Sequence, residues 1–169
     1  NNFTVSWSTI TSCDGAAISL EDCQDFSVTN NSIWNSQSGG VTTDLCSRGE
    51  FAHNSLINLV GQAMQVRGDN LTVLANSFTG IGDAAIYAAM VDGKIGGNLV
   101  QDSEVSIWMH ACANVLVIDN DLRSHGNIWV DTCANVSLVQ NDITNDEAGP
   151  QSAIIFWGTR SIQIVENTI

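Results

Sequence analysis

Residues 70–78 read NLTVLANSF, and close variants return along the chain: DFSVTNNSI at 25–33, VLVIDNDL at 115–122, VSLVQNDI at 136–143 and IQIVENTI at 162–169. Aligned on the Asn, the repeat runs through Ser8, Asn31, Asn54, Asn76, Asn98, Asn120, Asn141 and Asn167. Two places after it stand Ile10, Ile33, Leu56, Phe78, Val100, Leu122, Ile143 and Ile169, all apolar. Three places before it stand Val5, Val28, Phe51, Val73, Ile95, Val117, Leu138 and Ile164, again all apolar. Self-similarity at about 22 residues is the mark of a solenoid, in which each unit buries its inner face on its neighbours.

A second column lies eight residues before each following corner: Cys23, Cys46, Gly68, Met90, Cys112, Cys133 and Thr159. Before it, inner positions alternate with outer ones, as in Ile18 and Leu20 or Ile128 and Val130. Period-2 alternation predicts a strand with one face inward. Each coil is therefore expected to hold three short strands, with its length variation confined to the loop after the Asn. Stacked coils lie about 4.8 Å apart, so equivalent Asn side chains are expected to bond amide to amide up the solenoid. A buried amide without its partner costs roughly 1–3 kcal/mol, which explains why one residue type holds the corner.

This pattern resembles the right-handed parallel β-helix family, the pectin-lyase-like fold, whose repeats read N-V-x-I-x-x-N-x-I … G/A-I-x-V. The resemblance covers essentially the whole chain. It implies an all-β, single-stranded right-handed parallel β-helix of about seven to eight coils, with residues 1–169 forming one domain, whole or as a segment of a longer chain. LTVLANSF also fits the leucine-rich repeat, but GAAISLED, VSIWMHAC and GNIWVDTC alternate as strands where that repeat places a helix. No polar cap is legible at either end, and unpaired strand edges are normally covered. Missing flanks or head-to-tail stacking is the expectation.

The formal net charge is −13, with only five Lys and Arg among 169 residues. That argues against nucleic acid and anionic membrane surfaces, which recruit basic side chains. No apolar run is long enough for a membrane span. The abundance of Gly, Asn, Ser and Thr suits an extracellular, secreted or cell-surface chain. The five cysteines lack CxxC spacing, so zinc is not expected. Cys23 over Cys46 and Cys112 over Cys133 are read as buried thiols.

The constant spacing puts Ser19, Thr42, Met64, Ile86, Trp108, Trp129 and Ile155 in one outward column. It puts Glu21, Asp44, Val66, Ala88, His110, Asp131 and Trp157 in the other. In polysaccharide-processing relatives of this fold, the resemblance implies that this sheet carries the binding cleft. Trp108, Trp129 and Trp157, with Tyr87 and Arg67 on neighbouring coils, are the expected substrate-binding residues, since indole faces pack on the apolar faces of sugars. His110 with Asp131 is the first candidate acid–base pair, and Glu21 over Asp44 is the second. A neutral glycan fits the shortage of basic residues better than a polyanion. The alternative is a structural protein whose apolar stripe or ends self-associate. Asp121 over Asp142, with Asp146 nearby, is a candidate Ca²⁺ site built of oxygen ligands, against a solvated acidic surface. No cofactor is otherwise implied. The Asp-pair, Gly-His-Gly and Arg-x-Lys motifs of β-helical pectinases and the Asp-Pro-His motif of alginate epimerases are missing. Activity as a polysaccharide hydrolase or lyase is therefore left open.

Overall fold

The computed structural model describes residues 2–145 and 152–169. Every described element is a β-strand, and every pairing between named strands is parallel. The chain winds through about seven turns, each adding one strand to each of three sheets. The Trp-bearing sheet includes Ala16–Glu21, Gly39–Asp44, the start of Met64–Leu74, the middle of Ser77–Gly96 around Tyr87, the end of Leu99–His110 around Trp108, Gly126–Asp131 and Ile154–Trp157. Among the described residues, no helix is long and apolar enough to cross a membrane.

The interior is filled by the columns read from the repeat. Val28, Ile33, Phe51, Leu56, Val73, Phe78, Ile95 and Val100 are fully buried. Two apolar side chains flanking each corner thus stack coil upon coil, which no single coil could do alone.

The Asn ladder is continuous from Asn31 to Asn167. Each Nδ2 donates to Oδ1 of the next Asn along the solenoid at 2.8–3.1 Å. The same Oδ1 accepts the backbone N–H of the preceding Asn at 2.9–3.1 Å. The second Nδ2 proton reaches a backbone carbonyl one coil back, as from Asn76 to Phe51 at 2.9 Å and from Asn98 to Val73 at 3.0 Å. From Asn31 to Asn141 these side chains are almost wholly buried, so the ladder satisfies groups that water cannot reach. It also holds a bent backbone. The residue before each corner is left-handed, with φ near +55° at Asn30, His53, Ala75, Asp119 and Gln140 and +62° at Gly97. Such a conformation is unfavourable for most L-residues.

One expectation fails in coils three and four. Val41 pairs with Met64 rather than Ala63, and Thr42 pairs with Gln65. Met64, Val66, Ile86 and Ala88 are therefore buried, not outward, while Gln65 and Tyr87 face out. The cause is a residue missing from the corner behind the Trp sheet. Coils one, two, five and six turn there through a left-handed Asp22, Leu45, Ala111 or Thr132. Coils three and four have no such residue, and the chain runs on through Gly68, at φ +142°, and Met90. Length variation is thus shared between two corners instead of one loop.

Candidate functional site

The corrected register assembles a longer outward aromatic row than the constant spacing implied. Gln65, Tyr87, Trp108, Trp129 and Ile155 lie side by side on successive coils. Tyr87 meets Trp108 edge-on with ring centroids 5.5 Å apart, and Trp108 meets Trp129 at 5.8 Å and 66°. The Arg67 guanidinium stands over the Tyr87 ring, 5.5 Å from its centroid. At the other end, Trp157 is 77% exposed. A mainly apolar recess of about 170 Å³ lies among Trp108, Trp129, Asp131, Ile155 and Trp157.

His110 and Asp131 are in register on adjacent coils at the rim of that recess. His110 Nδ1 lies 2.8 Å from Asp131 Oδ2, with the two side chains 45% and 34% exposed. Thr132 Oγ1 donates to Asp131 Oδ1 at 2.7 Å. The Thr132 hydroxyl first, and His110 second, hold the Asp131 carboxyl below its ordinary range. An ionised carboxylate only accepts, so the Nδ1 proton must be on the imidazole, leaving Nε2 as the neutral ring's basic nitrogen.

Thr132 was not legible as a site residue. It takes φ +56° where the coils on either side have Ala111 and Gly158. A β-branched residue in that region is an outlier. The clue in the sequence was a β-branched side chain at a corner where the coils on either side have Ala and Gly.

The other candidates are placed apart. Glu21 and Asp44 are exposed and in register, but four and three coils from His110, roughly 19 and 14 Å away at about 4.8 Å per coil. They cannot serve the same bond as His110 and Asp131. Asp121 and Asp142 are in register. Both Asp121 oxygens, however, accept bonds from Arg123, at 2.8 and 2.9 Å. Asp146 lies outside the described residues. Among those described, no three His, Cys, Asp or Glu side chains are grouped to hold a metal ion.

All five cysteines are free thiols. Cys112 and Cys133 lie directly behind the acid–base pair. The Cys112 N–H donates to Cys133 Sγ at 3.2 Å, and Cys112 Sγ bonds the Ala88 carbonyl at 3.2 Å. The neighbouring Cys112 thiol, with the Cys112 N–H, holds the Cys133 pKa down to about 7, while Cys133 and burial push that of Cys112 up.

A family profile described as the right-handed beta helix region matches residues 1–100. The chain belongs to the right-handed β-helix family. Among solved structures, this β-helix is similar to the crystal structure of the Dettilon tailspike protein (gp208), with a TM-score of 0.53 and 12% identity. The match covers 98% of the β-helix and 54% of the tailspike chain, so the β-helix spans about half the tailspike's length. At that identity the likeness speaks for the fold alone. No curated protein matches the β-helix.

Proposed function

We propose that this β-helix is a polysaccharide-contacting module that works outside the cell, gripping a neutral glycan along the row from Arg67 to Trp157. The observation that carries this reading is the unbroken sequence of Arg67, Tyr87, Trp108 and Trp129, ending in an apolar recess with polar groups at one rim. Pyranose rings expose an apolar C–H face that packs on aromatic rings, and such sites combine apolar walls with a few convergent polar groups. The net charge of −13 repels polyanionic chains.

His110 and Asp131 give the site its chemistry. With Nδ1–H donated to Asp131, Nε2 accepts a proton from an attacking water, and Asp131 stabilises the imidazolium that forms. The proton is then returned to the leaving oxygen as the water oxygen bonds the anomeric carbon and the glycosidic bond breaks, giving hydrolysis.

The test is binding of neutral oligosaccharides by calorimetry, with solution mass followed in parallel. Trp108→Ala with Trp129→Ala should weaken binding at least about tenfold while the mass stays constant, because each stacked ring contributes on the order of 1 kcal/mol. His110→Gln should retain binding and lose any release of new sugar ends. Unchanged binding in the double Trp variant sinks the glycan reading. A fall in assembly mass instead supports self-association through the same stripe, the second reading, favoured by the exposure of Trp157 beside Ile155 and Phe156.

A further inference from the structure

Where each coil enters the Trp sheet, successive coils place Gly40, Ala63 and Ala85, then Ser106 and Asn127, then Ala153 in register. This column faces the core: a Cβ built on Gly40 would overlap the side chains of Leu56 and Leu59. The column opposite, which holds Leu59 and then Ile81, continues as Ser103 and Ser124. Coils five and six have thus exchanged both sides of an apolar contact for polar residues.

Ser103 and Ser124 satisfy each other, Oγ to Oγ at 2.8 Å. Ser106 Oγ and both amide atoms of Asn127 have no partner among the described residues, and both residues are completely buried. Orphaned groups of this kind are rare in native interiors, and an enclosed water molecule is the usual partner.

We infer that Ser106 and Asn127 form an internal hydration site, holding one or two water molecules between coils five and six. The donor set selects water. A cation would satisfy Asn127 Oδ1 and Ser106 Oγ but face the Nδ2 protons. An anion would satisfy Nδ2 but oppose Oδ1. Water donates and accepts at once. The neighbours on the adjoining coils, Ala85 and Ala153, are small. The site lies two residues before Trp108 and before Trp129 on their own strands. It joins the two coils that carry both indoles, as the Asn ladder joins them at another corner.

The experiment is a crystal structure of the full chain at a resolution that shows ordered water. Density is expected within about 2.7–3.2 Å of Ser106 Oγ and an Asn127 amide atom. In Ser106→Ala with Asn127→Ala, that density should vanish. An empty site in the natural protein overturns the inference, as does an Asn127 amide turned onto a protein partner or a bound ion in place of water. The natural protein decides the matter even if the double variant fails to fold.

Discussion

Coils three and four and coils five and six are neighbours in one solenoid, built on one repeat, yet they turn the corner behind the Trp sheet differently. Coils five and six use a left-handed residue, Ala111 or Thr132, followed by a buried thiol at Cys112 or Cys133. Coils three and four omit that residue and pass through Gly68 and Met90. The omission shifts the strand before it by one place. With period-2 alternation, a slip of one exchanges the inner and outer faces. Met64 and Ile86 go in, Tyr87 comes out, and the aromatic row gains a member. A deletion at a corner behind the sheet therefore redraws the surface in front of it.

The ladder common to both regions should give the largest effect. Asn98 stands at their junction, and Asn98→Ala leaves the buried N–H and Nδ2 of Asn76 without their acceptor. At about 1–3 kcal/mol for each orphaned donor, chemical denaturation should show a loss of roughly 3–5 kcal/mol. A loss near zero would mean the ladder follows the fold and does not hold it.

Next comes the corner itself. In Gly68→Ala the new Cβ runs into the Cys46 carbonyl oxygen at a φ that L-residues rarely adopt. About 1–3 kcal/mol of stability should be lost. The matched change in the other region, Ala111→Gly at φ +53°, should be nearly neutral. Equal losses by thermal melting would erase the distinction between the two kinds of corner.

Thr132→Gly sharpens the comparison at the site. Relieving the left-handed threonine should stabilise the chain by about 1 kcal/mol. Losing its hydroxyl should let the Asp131 pKa rise toward its ordinary value. Because the folded pKa is depressed, this carboxylate contributes stability above its unfolded pKa, about 3.9, and loses it as pH falls through the lower folded value. Carboxyl titration by NMR should show the rise, and an unmoved Asp131 would show that Thr132 does not position it.

The smallest effect is a proton. Cys112→Ala removes the neighbouring thiol that lowers Cys133 to about 7, so thiolate absorbance should appear only at higher pH. A Cys133 titration unchanged by that substitution would break the coupling of the two coils.

The corner Asn and the apolar columns beside it were legible because stacking forces equivalent residues into identical surroundings. The pairing of His110 with Asp131 was legible too, since their coils carry equal corners. Tyr87 was expected to bind, but its place in the outward row was not legible: nothing in the spacing between Tyr87 and Met90 says which of two corners lost a residue. Nor could spacing reveal that Arg123 occupies Asp121, because that bond depends on side-chain direction.

By itself, the sequence determined the coil, its period and its ladder, because these are properties that every repeat shares and local chemistry repeats with them. Only the tertiary structure decided which side chains meet on the outer face. That outcome depends on the register between coils, fixed by how each corner packs on the one beneath it.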